Sequence, residues 1–81
     1  MAWFEFIWTD IARDKIAQHG ISQDQFEYAF TEFWSEGTSR TSGRPLRVGP
    51  TSDGRLITMI FEWLENGITV EPITAFETDE R

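Results

Sequence analysis

The stretch Lys15-Ile16-Ala17-Gln18-His19-Gly20-Ile21-Ser22 constrains this chain more than any other. One helical pattern stops there and another starts almost at once. Gly20 is the residue type that most readily takes the left-handed conformation closing a helix. Ser22, with Gln25 three positions on, has the spacing of a capping box, in which each side chain satisfies an orphan backbone donor of the next helix. About two residues then join the helices, too few to let them separate, so they form a fixed corner on which the rest must pack.

The flanking patterns define what packs there. Residues 3–8 alternate Phe4, Phe6 and Trp8 with Trp3, Glu5 and Ile7 and are rich in the aromatic residues strands favour, which predicts a strand. Thr9 or Asp10 caps a helix over 10–19 whose Ala12, Ile16 and His19 face inward. A second helix, 23–33, has the clearest stripe in the chain, with Phe26, Ala29, Phe30, Phe33 and Trp34 at helical spacing. Residues 35–43 contain no apolar side chain and read as a mobile loop. Strand patterns follow at 45–49, 55–63 and 68–76, a three-strand meander over 45–76 separated by Asp53-Gly54 and Asn66-Gly67 turn signals.

The middle strand pattern is apolar on both faces, as expected of a central strand with helices covering one side. Pro72 has no N–H to give a ladder, so the last strand is expected at an edge or bulged there. The polar tail, 77–81, is expected to fray. The order is thus β-α-α-β-β-β, an α+β domain over residues 1–81 with two helices packed on a small antiparallel sheet.

A chain of 81 residues buries only about 60–65% of the surface it exposes when unfolded. Its core is thin. Without cysteine there is no disulfide and no thiolate metal site, and the composition suits a reducing cytoplasm. No signal peptide or membrane span is visible, so a cytoplasmic protein that does not engage membranes is expected. No dinucleotide fingerprint, phosphate loop, zinc spacing or serine triad appears, and no cofactor or metal is expected.

The net charge of −7 argues against indiscriminate nucleic-acid binding. Its distribution is uneven. Between residues 40 and 55, Arg40, Arg44, Arg47 and Arg55 meet only Asp53, a local balance of +3; elsewhere three cations face thirteen acids, a balance of −10. Twelve aromatic residues, four of them tryptophan, are many for two short helices to cover. Faces such as Trp3-Ile7 and Phe61-Trp63 cannot all be covered, so some of that surface is expected to stay exposed and mark a partner or oligomer interface; the alternative is a small core built from large residues.

Five short motifs, Trp8-Thr9, Ile16-Ala17-Gln18-His19-Gly20-Ile21-Ser22, Gly43-Arg44-Pro45-Leu46-Arg47-Val48-Gly49, Thr51-Ser52-Asp53-Gly54-Arg55 and Pro72-Ile73-Thr74-Ala75, together resemble in order and spacing the BrnT-like toxin family. The resemblance covers nearly the whole chain. It implies a RelE-like fold, metal-independent endoribonuclease activity, and a partner antitoxin encoded alongside, the pair forming a type II toxin–antitoxin system of a bacterium. Two departures matter. Where members of that family commonly carry an arginine after Thr-Ala, this chain has Phe76, and where they continue into a basic helix it ends in Glu77-Thr78-Asp79-Glu80-Arg81. Both remove positive charge, so activity weakened or lost is one expectation.

RNA cleavage on such a fold needs cations at the scissile phosphate and at most a modest acid or base. Arg44, Arg47 and Arg55 on neighbouring strands are candidates to converge on one phosphate through guanidinium forks, with Arg40 from the loop beside them. Lys15 and His19, four apart, share a helix face, and histidine is the residue type that titrates near neutrality. His19, Lys15 and Arg55 are therefore the candidate catalytic residues, and Arg40, Arg44 and Arg47 the candidate RNA-binding ones. Each also has a structural reading: His19 capping a helix end, Lys15 solvating a face, and the arginines in surface ion pairs. Three functions stay open: a ribonuclease toxin, a non-catalytic protein-interaction module, and an RNA-binding domain without cleavage.

Overall fold

A computed structural model describes residues 4–78. The elements are β1 (Glu5–Phe6), α1 (Asp10–Gln18), α2 (Gln23–Thr31), β2 (Ser35–Thr38), β3 (Pro45–Pro50), β4 (Leu56–Trp63) and β5 (Thr69–Glu77). One sheet runs in the order β1-β5-β4-β3-β2. The α+β class matches expectation, but the sheet has five strands and is mixed, not antiparallel throughout. β1 lies parallel to β5, with Glu5 opposite Thr69 and Phe6 opposite Val70. Both helices and three strands intervene before β5 returns beside β1, so no tight hairpin forces those two strands to be antiparallel.

The corner has the geometry its residues predict. His19 is the C-cap of α1, and Gly20 has φ 73°. Gly20 N–H donates to the Ala17 carbonyl and Ile21 N–H to the Ile16 carbonyl, both at 3.0 Å. These are the two bonds of a Schellman motif, and the buried pair Ile16 and Ile21 supplies its apolar contact. Two residues later the capping box closes: Gln25 N–H donates to Ser22 Oγ at 3.1 Å, and Ser22 N–H to Gln25 Oε1 at 3.0 Å. Thr9 caps α1 by accepting from Ala12 N–H.

Four expectations are corrected. Residues 35–43, read as a mobile loop, contain β2, paired antiparallel with β3, and a hairpin turn closed by Ser39 N–H to the Arg44 carbonyl at 2.8 Å. A ladder is made by backbone groups, so a four-residue edge strand exposed throughout needs no apolar side chain for a periodicity to reveal. His19, expected inward, is exposed because α1 ends at Gln18. Phe33 and Trp34 leave the α2 stripe because that helix ends at Thr31 and Trp34 N–H already donates to the Val48 carbonyl at 2.7 Å. The tail expected to fray from residue 77 is held at its start, because Glu77 lies opposite Ile57 at the end of β5 and Thr78 N–H donates to the Leu56 carbonyl at 2.8 Å. Some aromatic surface does stay exposed, as expected: Trp63 is 36% exposed, whereas Phe61 is fully buried against Phe30 and Trp63. The last strand pattern does bulge: the β4–β5 register slips between Ile60 and Phe61, so Pro72 opposes Phe61, Thr74 opposes Ile60, and Ile73 is extra. Trp3 and residues 79–81 of the expected tail lie outside the described residues.

Alternation sorts the sheet into two faces. Ile57, Met59 and Phe61 of β4, with Val70 and Ala75 of β5, join Ile16, Phe26, Ala29 and Phe30 of the helices in one core. Phe30 is its hub, with ring contacts to Phe4, Phe6, Phe26, Phe61 and Trp63. Opposite lies the outer face, where Leu46 pairs across to Ile60, Val48 to Thr58 and Pro50 to Leu56.

Candidate functional site

The six candidate residues occupy two ends of the molecule and its interior. At the corner end, the Arg55 guanidinium donates to the Gly20 carbonyl at 2.9 Å and to Gln25 Oε1 at 3.0 Å, and pairs with Asp53 at 3.3 Å. Gln25 also donates to Asp53 Oδ2 at 3.2 Å. Arg55 thereby ties the helix corner to the β3–β4 turn. His19 adjoins the carbonyl-bearing Gly20, exposed, with its ring 6.3 Å from that of Phe76. Lys15, one turn back on α1, is also exposed. These three share a neighbourhood at the corner, and position 76, on the other side of the histidine ring, contributes an aromatic ring and not a cation.

At the opposite end, Arg44 bonds Glu62 at 2.6 Å, and Arg40 is exposed on the β2–β3 turn. Arg44, Pro45, Glu62 and Trp63 border a shallow depression of about 690 Å³ there. Arg44 beside Glu62 and Arg55 beside Leu56 stand at opposite ends of β4, about 20 Å apart at roughly 3.3 Å per residue. They do not converge on one phosphate.

Arg47 lies between them and inside. Its side chain is 8% exposed. One nitrogen donates to Glu36 Oε2 at 2.8 Å, another to the Phe30 carbonyl at 3.0 Å, and the guanidinium lies 3.9 Å from the Phe33 ring centre and 4.3 Å from that of Phe30. Phe30 is in the last turn of α2, where carbonyls lack helical partners and the dipole favours a cation. No basic residue of α2 fills that place. Arg47 supplies it from β3, sandwiched by rings whose faces attract a cation.

Three of the four clustered arginines are thus paired with Glu62, Glu36 and Asp53, and the local positive balance read from the sequence is largely cancelled in space. The carboxylates come from outside the basic segment in two of three cases, which is why sequence distance hid the pairing. Among the described residues no group of three potential metal ligands is gathered, and no helix is long and apolar enough to cross a membrane.

Asp53 is held below the ordinary aspartate pKa, chiefly by the hydrogen bond from Thr51 Oγ1 and secondarily by the charge and hydrogen bonds of Arg55. A depressed folded-state pKa contributes stability that is complete above the unfolded value and is lost as pH falls through the folded one. Acid titration followed by NMR is expected to give Asp53 a midpoint below that of an unstructured aspartate, and Thr51→Val to move it upward. A midpoint unchanged by Thr51→Val would refute the assignment of cause.

What sequence reasoning missed is the outer sheet face. Leu46, Val48, Pro50, Leu56 and Ile60 are all partly exposed on it, Phe76 is 37% exposed, and no described element packs over them. The signal was present in β4, whose alternate residues are apolar on both sides. At one end of that face Glu62 stands directly opposite Glu71.

No family model matches this chain, and no curated protein or solved structure matches it.

Proposed function

We propose that this chain is a BrnT-like member of a toxin–antitoxin pair, on a RelE-like fold, that acts by binding a partner protein and whose ribonuclease action is weakened or lost. The observation that carries the reading is the apolar outer face of the sheet, left without a covering layer among the described residues. Exposed contiguous apolar surface with a polar rim is what interfaces are made of. The arginines fit the same reading, because those paired within the fold have fewer donors left for RNA.

Co-expression with the protein encoded next to it tests this. The expected result is a stoichiometric complex that survives size-exclusion chromatography, with no cleavage of mixed-sequence RNA by the chain alone at low salt. A chain that stays free of that neighbour and degrades RNA would overturn it.

A second reading, an active ribonuclease, is favoured by the gathering of His19, Lys15 and Arg55 at one corner. It expects cleavage that His19→Ala abolishes. On the first reading, Phe76→Arg, which sets a cation beside His19, is expected to raise any residual cleavage, whereas His19→Ala in the native chain changes nothing measurable.

A further inference from the structure

We infer that the outer face of the sheet is covered in the working protein by an amphipathic helix of a basic partner, about thirteen residues long, with a lysine or arginine at one end seated on Glu71. This rests on the partner-binding reading above and specifies its chemistry. The face carries an apolar strip across β3 and β4, in which Leu46 faces Ile60, Pro50 faces Leu56 and Val48 faces Thr58. A lone strand extends a sheet at its edge, whereas a sheet face is covered by a second sheet or by a helix, and of these a single short segment can supply only the helix. The span from Leu56 to Glu62 is about 20 Å at roughly 3.3 Å per residue, the length of a helix of about thirteen residues at 1.5 Å each.

Charge selects the occupant. Glu62 and Glu71 are cross-strand partners, and like charges directly opposite weaken a sheet. Arg44 answers Glu62 at 2.6 Å, but no cation among the described residues reaches Glu71, which is half-buried at the rim of the apolar face. The fold does not need that carboxylate. A cation arriving from outside relieves the repulsion and is bound where water is partly excluded. A second copy of this chain is a poor occupant, because each carries a net charge of −7 and the two repel.

The test uses the full chain, isotope-labelled, titrated with two synthetic 14-residue amphipathic helical peptides of the same leucine pattern, one with lysines and one with glutamates on the polar face. The lysine peptide is expected to shift the amides of Val48, Thr58, Ile60 and Thr74 saturably, and the glutamate peptide to leave them in place. Ile60→Asp is expected to abolish binding. Glu71→Lys is expected to weaken the lysine peptide roughly 3- to 10-fold, to confer binding of the glutamate peptide, and to raise the melting temperature by removing the Glu62–Glu71 repulsion. The reversal of preference separates recognition from a structural effect, since a merely altered fold would weaken both peptides alike.

The inference is overturned by equal binding of both peptides, by shifts that map to α1 or α2, or by concentration-dependent shifts at Val48 and Ile60 without peptide, which would give the face to a second copy. Absence of binding by either peptide also overturns it, while a complex with the neighbouring gene product would leave the partner-binding reading standing on another surface.

Discussion

Replacing Gly49 with alanine is expected to cost about 3 kcal/mol or more, the upper end of what overpacking a core costs, and to leave much of the chain unfolded at 37 °C. Gly49 is in β3 at the point where α2 crosses it. A Cβ there would sit 2.4 Å from the Ala29 carbonyl oxygen and 2.9 Å from the Phe33 Cα. Both obstacles are backbone, so no rotamer change relieves them. The helix end would have to lift, and with it the Phe30 carbonyl from Arg47 and Trp34 N–H from the Val48 carbonyl. Against a total stability of about 4–12 kcal/mol for a chain this size, the loss is severe. Gly37→Ala is the control, because its Cβ would meet only the Leu46 Cδ1 at 3.7 Å; a change within about 0.5 kcal/mol is expected. Urea denaturation of both variants decides. Equal midpoints would mean that α2 does not approach β3 this closely.

Arg47→Ala is expected to be nearly as damaging, at about 3 kcal/mol, the range seen when one partner of a buried charged contact is removed. The guanidinium does three things at once: it closes the C-terminal end of α2, pairs Glu36 on β2, and fills the space between the Phe30 and Phe33 rings. Arg47→Lys keeps the charge but has no planar fork to reach the carboxylate and the carbonyl while stacked, so it recovers little. Arg47→Met is expected to lose least of the three, because it refills the volume, and Glu36, half exposed, is resolvated by water. Affinity for RNA is expected to track only the folded fraction in all three variants. A fully folded Arg47→Ala with lost RNA binding would return Arg47 to the nucleic-acid site.

The pairing of these two residues explains how α2 is held. Gly49 lets the helix come close and Arg47, two residues earlier on the same face of β3, anchors its free carbonyl end. Neither role is visible along the chain, since the contacts join positions 11 or more residues apart. Arg47 in particular looks like its neighbours Arg44 and Arg55 until the fold puts it indoors.

What depends on nearest neighbours was legible along the chain. Gly20, Ser22 and Gln25 encode the corner because a Schellman turn and a capping box are closed by residues within a few positions of one another. The central place of β4 and the bulge at Pro72 were legible for the same reason: alternation and a missing N–H are local facts. The rest was set by contacts that exist only in the folded chain. Folding turned a polar loop into an edge strand through backbone bonds that no side chain announces. It also set Arg44, Arg47 and Arg55 at separate stations, because residues close in sequence point to opposite faces and opposite ends of a pleated strand. Electrostatic partners are chosen by distance in space, and that distance exists only once the sheet is assembled.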